Sequence, residues 1–183
     1  MKILKIVLSV VVILIAVLTI VYAYYGGFST VRINTEEQGG EIFVYTDVTG
    51  DYSNTGTYSN EVYYTLLNDY NIETYKGCGI YLDNPKDVDT DKLRSEVGCI
   101  VEFKDSTKIE QVKEKYKVKI LPKGKYVVSE FPLKGTPSFI VGIMKVYPAL
   151  EEYYKNNNIT VANPAMEIYD VPNEKIIYRI QIQ

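Results

Sequence analysis

Two short segments of the chain each occur twice, roughly 87 residues apart. GIYLDNP, which begins at Gly79, matches EIYDVPN, which begins at Glu167. TLLNDYNI, which ends at Ile72, matches ALEEYYKNNNI, which ends at Ile159. Short strings can match by chance, but the elements predicted around them follow the same order in both places. We therefore interpret most of the chain as two copies of one supersecondary unit.

Each copy is predicted to consist of a strand, a helix and two further strands. In the first copy these elements cover residues 41–52, 57–70, 76–83 and 94–102. In the second copy they cover residues 116–131, 138–156, 164–170 and 174–182. Pro148 is expected to kink or split the second helix, because proline lacks a backbone donor and clashes with the preceding turn.

This order predicts an α+β fold, a tandem β-α-β-β repeat in which the two units join their sheet edges. Both helices should pack on one face of the antiparallel sheets and leave the other face concave. The predicted domain covers residues 41–183, with its first half at 41–103 and its second half at 116–183. Residues 27–40 are assigned to a linker, with an edge strand as the alternative.

An uncharged apolar run covers residues 6–25, which is long enough to span the hydrocarbon core of a bilayer. We interpret residues 1–26 as a transmembrane anchor; a cleaved signal peptide is the alternative, although the run is long for one. Lys2 and Lys5 precede the run, and positive charge favours the cytoplasmic side. The predicted protein is therefore single-pass, with the lipid bilayer as a partner and the soluble domain on the non-cytoplasmic side.

The composition argues against several classes of function. The chain has no His, which excludes Ser-His-Asp triads, Cys-His pairs and histidine metal sites. The formal net charge of -3 gives no field that would attract nucleic acid, so no nucleic-acid partner is expected. Two Cys without His argue against a zinc site, and no metal or cofactor is predicted.

The two cysteines, Cys78 and Cys99, lie on neighbouring predicted strands. Strand alternation predicts that both point to the helices. Two buried free thiols are the favoured interpretation, and a disulfide is the alternative if the domain is exported.

The same alternation sorts the residues of the two matching strands. The apolar set is expected to face the helices and comprises Ile80, Leu82, Met166 and Ile168. The intervening set should then point to the concave face and comprises Gly79, Tyr81, Glu167 and Tyr169. A carboxylate among tyrosine rings can receive a cation, because the carboxylate supplies charge and the rings supply cation–π contact. The alternative is that Glu167 is an ordinary solvated residue paired with a lysine.

Two segments of the chain resemble a known family. Residues 146–170, VYPALEEYYKNNNITVANPAMEIYD, resemble the second half of gyrase-inhibitor-like (GyrI-like) small-molecule-binding domains. GIYLDNP, with Arg94 and Gly98 after it, resembles the first half. Together with the apolar N-terminus, the chain looks most like the membrane-anchored branch, which includes the testis-expressed ER-phagy receptor of animals. The resemblance covers residues 43–183 and implies a tandem β-α-β-β fold with a ligand cleft between the halves.

The resemblance also implies a site. In the family the glutamate of the E-I-Y strand, here Glu167, contacts cationic and often aromatic ligands. Tyr169 and Tyr81 are then expected to form the wall of the cleft, with Gly79 beside them. The expected function is a membrane-tethered receptor for small cationic amphipathic or aromatic molecules, and no catalytic residue is assigned.

Two alternatives remain open. The first is a membrane-anchored scaffold that holds a peptide or nothing in its cleft. The second is a hydrolase like some relatives, with Glu167 as a general base and a tyrosine hydroxyl as donor. The autophagy role of the receptor depends on a tail after the domain, and the transcriptional role of other relatives on a helix-turn-helix before it. We expect neither role, because the chain ends at Gln183 and carries no such motif.

Overall fold

The computed structural model of the protein describes residues 2–102, 106–161 and 164–182. Its helices are α1 (Lys2–Tyr24), α2 (Thr55–Tyr70), α3 (Ser106–Val112) and α4 (Thr136–Asn156). Its strands are β1 (Ile33–Gln38), β2 (Ile42–Thr49), β3 (Lys76–Tyr81), β4 (Arg94–Val101), β5 (Lys117–Ile120), β6 (Gly124–Pro132), β7 (Ala165–Asp170) and β8 (Lys175–Gln181). The predicted anchor, both half-domains and the family-like segment also include residues 1, 103, 162–163 and 183, which lie outside the described residues.

The strands form one eight-stranded antiparallel sheet in the order β1-β6-β8-β7-β3-β4-β2-β5. The first unit contributes β3-β4-β2 and the second contributes β6-β8-β7, so β3 and β7 meet in the middle. α2 packs on the β2 and β4 side chains Val44 and Cys99, and α4 packs on Tyr178 of β8 and Val127 of β6. The strand register places these residues on one face of the sheet. The predicted tandem α+β fold is therefore confirmed, including both helices on one face.

Three elements differ from the sequence-based prediction or settle an alternative. Residues 33–38 form edge strand β1, which pairs with β6. Residues 116–131 contain two strands, of which β5 is one edge of the sheet and β6 is second from the other edge. Pro148 lies within a continuous α4, at an exposed position. The carbonyl that loses its donor there belongs to Met144, four residues earlier, which is also exposed, so water can satisfy it.

A short connection forces the sheet to curl. Residues 121–123 join β5 to β6, which are six strand spacings apart in the sheet order. A flat sheet would separate them by about 29 Å. The chain from Ile120 to Gly124 can span at most about 14 Å. The helix-free face therefore curls inward, and Phe43, Ile100 and Leu121 fill it as a buried cluster.

This curl overturns the expected orientation of the matching strands. Cys78, Ile80, Met166 and Ile168 belong to the buried cluster on the helix-free face and do not face the helices. Leu82 follows the end of β3 and is exposed. The expectation that the helix-free face is the open one was wrong, because a sheet in which three residues join an edge strand to a strand six spacings away cannot stay open on its inner side.

The two cysteines consequently lie on opposite faces of the sheet. Cys78 belongs to the interior of the curled sheet, whereas Cys99 packs under α2. Both are buried and free, so the favoured interpretation as free thiols is confirmed, and the prediction that both point to the helices was wrong for Cys78.

The N-terminal helix α1 is long and apolar enough to cross a membrane, and none of it is buried in the protein. A secretory signal sequence near the N-terminus can meet the same criteria of length and hydropathy. The apolar surface of α1 would be unfavourable in water, so this helix requires a lipid environment or removal.

Candidate functional site

A cleft lies on the helix-bearing face, where α2 and α4 leave the middle of the sheet uncovered. Its volume is about 1490 Å³ and it is open to solvent. Ser59 and Tyr63 of α2 form one wall, and Phe139 and Ile143 of α4 form the other. The floor consists of β3 and β7, the two strands at which the repeats meet.

The glycines of β3 determine how the tyrosines lie on this floor. Gly77 pairs with Tyr169 and Gly79 pairs with Glu167 across the β3–β7 junction. A Cβ at Gly79 would lie 3.0 Å from the Tyr81 hydroxyl oxygen, and one at Gly77 would lie 3.3 Å from the Tyr169 ring. Each ring therefore lies over a glycine. Tyr81 occupies the space above Gly79, which has no side chain and pairs with Glu167.

The four residues predicted for the site, Gly79, Tyr81, Glu167 and Tyr169, are thus brought together on one face, as the alternation predicted. The face itself differs from the prediction, since it is the helix-bearing one. The hydroxyl oxygens of Tyr81 and Tyr169 are 2.9 Å apart. The sequence did not assign Tyr147 of α4 to the site, although its spacing already places it on the apolar stripe of that helix.

Glu167 lies at the centre of the floor and is 4% exposed. The Tyr147 hydroxyl donates to its Oε1 over 2.7 Å, and the Tyr169 hydroxyl donates to its Oε2 over 2.9 Å. Hydrogen bonds of this kind stabilise an ionised carboxylate in a site that water cannot reach. Glu167 therefore contacts the cleft through a layer of tyrosine hydroxyls.

The titration of this cluster is set mainly by burial. Burial raises the pKa of Glu167 above 4.5, and the hydrogen bonds from Tyr147 and Tyr169 offset part of this effect. Burial and the nearby Glu167 charge raise the pKa of Tyr147 and of Tyr169 well above the ordinary value, so both stay protonated and donate. A cation that entered the cleft would favour the ionised form of Glu167.

A second layer of aromatic rings holds the first in place. Phe139 contacts Tyr169 edge-on with ring centroids 5.2 Å apart, and Tyr52 contacts Tyr81 at 4.8 Å. Such edge contacts stabilise ring orientation beyond the area that they bury. The cleft floor is therefore a preorganised aromatic surface around one carboxylate.

Two further tyrosine hydroxyls are close to the cleft. Among the residues that the structure describes, the buried hydroxyls of Tyr154 and Tyr178 have no hydrogen-bond partner. Tyr154 lines the cleft, and Tyr178 stacks edge-on against Tyr147 at 5.7 Å. Over the same described ranges, no group of three or more Cys, Asp or Glu side chains is placed to hold a metal ion.

Comparisons with solved structures show where this fold occurs. The C-terminal domain of EcmrR superposes with a TM-score of 0.57 and 9% identity, covering 84% of this chain and 98% of that domain. The structure of SAV2435 bound to tetraphenylphosphonium superposes with a TM-score of 0.53 and 12% identity, covering 83% of this chain and 94% of that one. A hydrolase from Listeria innocua superposes with a TM-score of 0.53 and 12% identity, covering 83% of this chain and 92% of that one. At these identities the likeness shows a shared fold.

A comparison with curated protein sequences returned no match. A family model described as the GyrI-like small-molecule-binding domain matches residues 31–183, which include edge strand β1 and the whole sheet. Since this match covers most of the length of the chain, the chain belongs to the GyrI-like small-molecule-binding domain family.

Proposed function

We propose that this chain is a membrane-tethered receptor that binds small cationic amphipathic or aromatic molecules in the cleft between α2 and α4. The observation that carries the proposal is one buried carboxylate, Glu167, beneath an aromatic floor in an open cleft of about 1490 Å³. The ligand's apolar body would pack on Tyr81 and Tyr169, and its charge would be neutralised by Glu167. The family membership supports small-molecule binding in general.

The arrangement of Glu167 favours a delocalised cation over a small one. Its two oxygens already accept hydrogen bonds from Tyr147 and Tyr169, so a ligand need not supply donors. A diffuse positive charge can instead lie against the tyrosine rings, which attract cations through their faces. The structural relative SAV2435 is known in a complex with tetraphenylphosphonium, a cation of this class.

The proposal predicts a specific pH dependence. In the ligand-free protein the pKa of Glu167 is above 4.5 because the carboxyl is buried. A cation binds the ionised form, so its affinity should rise as the pH increases through the raised pKa, and binding should release protons. Isothermal titration calorimetry in two buffers of different ionisation enthalpy measures both effects, and Glu167→Gln should show neither.

The first experiment follows thermal unfolding of the full chain in non-ionic detergent micelles. Tetraphenylphosphonium and tetraphenylborate are the matched probes, because they share size and shape and differ in the sign of charge. We expect the cation to raise the melting temperature of the wild type and not that of Glu167→Gln. Equal shifts with both ions would contradict charge recognition, and no shift with either would favour the scaffold function.

The raised pKa of Glu167 also favours a second candidate function, a hydrolase that uses this carboxylate as general base. The relative from Listeria innocua is described as a hydrolase. Against this function, both carboxylate oxygens are occupied by tyrosine hydroxyls and Glu167 is 4% exposed, which leaves no obvious place for an activated water. Turnover of an epoxide that is lost in Glu167→Gln would establish the hydrolase.

The membrane tether is part of the same proposal. α1 has the length and apolar surface of a spanning helix, and it precedes the GyrI-like domain that the family model matches from residue 31. Lys2 and Lys5 precede the apolar run, so we place the domain on the non-cytoplasmic side. Protease digestion of sealed membrane vesicles tests this orientation, because the domain should be cleaved from the non-cytoplasmic face alone.

A further inference from the structure

The segment that follows α1 is fastened to the first half of α4. Lys145 of α4 donates to the carbonyl oxygens of Gly27 and Ser29, each over 2.6 Å. A Cβ at Gly135, just before α4, would lie 3.5 Å from the Tyr25 ring. The exit of the anchor is therefore held against the first half of α4 and is not connected to the domain by a free linker.

The same end of the molecule forms one mouth of the cleft. The Leu133 amide donates to the Glu174 carbonyl over 2.8 Å, and Lys134 forms an ion pair with Glu174. The Val171 amide donates to the Tyr75 carbonyl over 3.3 Å. These contacts join the start of α4, the β7–β8 turn and the start of β3 next to the exit of the anchor.

The rim of this mouth is apolar and exposed. We call Tyr75, Ile140 and Val171 the proximal rim; they are 55%, 62% and 61% exposed, and all three line the cleft. The opposite mouth carries the ion pair of Lys86 and Glu151 at 3.0 Å, and its apolar residue Leu82 is 41% exposed. The three side chains of the proximal rim are thus more exposed than Leu82, and the proximal rim lies at the end of the cleft beside the anchor.

Lengths along the fold keep Ile140 of the proximal rim within about two helical turns of Gly135, which lies beside the anchor. Ile140 follows Gly135 by five residues of chain, most of them in α4, which corresponds to about 7.5 Å along the helix axis. Tyr24 and Tyr25 at the end of the anchor are of a residue type that is enriched at the membrane–water interface. Apolar side chains of surface-bound segments enter this interface by about 5–10 Å.

We propose that the bilayer surface covers the proximal rim, so that the cleft takes its ligand from the lipid interface and not from bulk water. The inference deepens the proposed function and rests on the membrane tether and the ligand cleft described above. The ligands would be molecules that have already partitioned into the membrane, with an apolar body in the lipid and a cationic group at the membrane surface. Such molecules could pass over Ile140 and Val171 into the cleft without leaving an apolar environment.

The test places a fluorophore on single cysteines in the full chain, reconstituted in phosphatidylcholine nanodiscs that contain a lipid spin-labelled near its headgroup. Ile140→Cys and Val171→Cys report on the proximal rim. Leu82→Cys is the matched control, because Leu82 is an exposed apolar residue that lines the opposite mouth, about 23 Å from Tyr75 along the strand. The native cysteines are buried, and wild type treated with the same fluorophore verifies that they do not react.

We expect the spin-labelled lipid to quench both rim reporters several-fold more strongly than the Leu82→Cys reporter. Equal quenching at the two mouths, or stronger quenching at Leu82→Cys, would overturn the proposal. A reporter at Phe28→Cys, beside the anchor, separates this failure from failure of the tether. If Phe28→Cys is not quenched, the tether itself is wrong and the inference fails with it; binding of tetraphenylphosphonium is measured separately and decides the ligand cleft.

Discussion

Tyr147→Phe tests whether Glu167 is an ionised carboxylate held by tyrosine donors. The substitution removes the hydroxyl that donates to Glu167 over 2.7 Å and leaves the ring against Tyr178. Hydrogen bonds to charged groups contribute about 1.5–3 kcal/mol, whereas those between neutral groups contribute about 0.5–1.5 kcal/mol. We expect the variant to lose the larger amount of unfolding free energy when Glu167 is ionised and the smaller amount when it is neutral.

The pH dependence of this loss follows from the direction of the Glu167 shift. Burial raises the pKa of Glu167 above 4.5, so the carboxyl stays neutral at pH values where an exposed glutamate is already ionised. The loss caused by Tyr147→Phe should therefore be small near pH 4.5 and should grow as the pH rises through the raised pKa. In the wild type the same shift means that Glu167 favours folding less as the pH rises, since the folded state binds the proton more tightly than the unfolded state does.

Urea unfolding of the full chain in non-ionic micelles measures these energies, with the near-ultraviolet circular dichroism of the tyrosines as signal. Tyr64→Phe is the matched control, because Tyr64 is 57% exposed and its substitution should change stability by less than about 0.5 kcal/mol. A loss for Tyr147→Phe that does not vary with pH, or that is no larger than the control, would refute an ionised Glu167 held by this donor.

Three further substitutions test contributions to stability. Glu41→Ala should cost roughly 3 kcal/mol at neutral pH, because it leaves the buried Arg179 without its carboxylate partner. Burial raises the pKa of Glu41, but the nearby Arg179 outweighs this effect and holds the pKa below 4.5. In urea titrations the loss of unfolding free energy should therefore be present above pH 4.5 and should vanish as the pH falls through the lowered pKa. Gly142→Ala should cost about 1–3 kcal/mol, since its Cβ would overlap the Tyr178 hydroxyl. Gly56→Ala, with nothing within 4 Å of the added Cβ, should be neutral or stabilising by about 0.5–1 kcal/mol, and thermal melts of the two variants should move in opposite directions.

Much of the fold could be predicted because the repeat is local in sequence. Each unit carries its own helical stripe and strand alternation, and the matching order of elements indicated that two equivalent edges would join. The β3–β7 junction, with Gly79 opposite Glu167, follows from that symmetry. The strand register in turn placed Tyr81 and Tyr169 on the same face as Glu167. Tyr147 could not be assigned to the site, because its distance from Glu167 depends on how α4 crosses the sheet.

The sequence by itself determined an apolar N-terminal helix, two β-α-β-β units and which strand residues share a face. Only the tertiary structure decided which face is open. Alternation is a property of one strand and says nothing about what covers either side. That was decided by the three-residue link at 121–123, which joins edge strand β5 to β6, six strand spacings away, and closes the helix-free face. The gap between α2 and α4 is then the place where the Glu167 face remains accessible through its tyrosine layer.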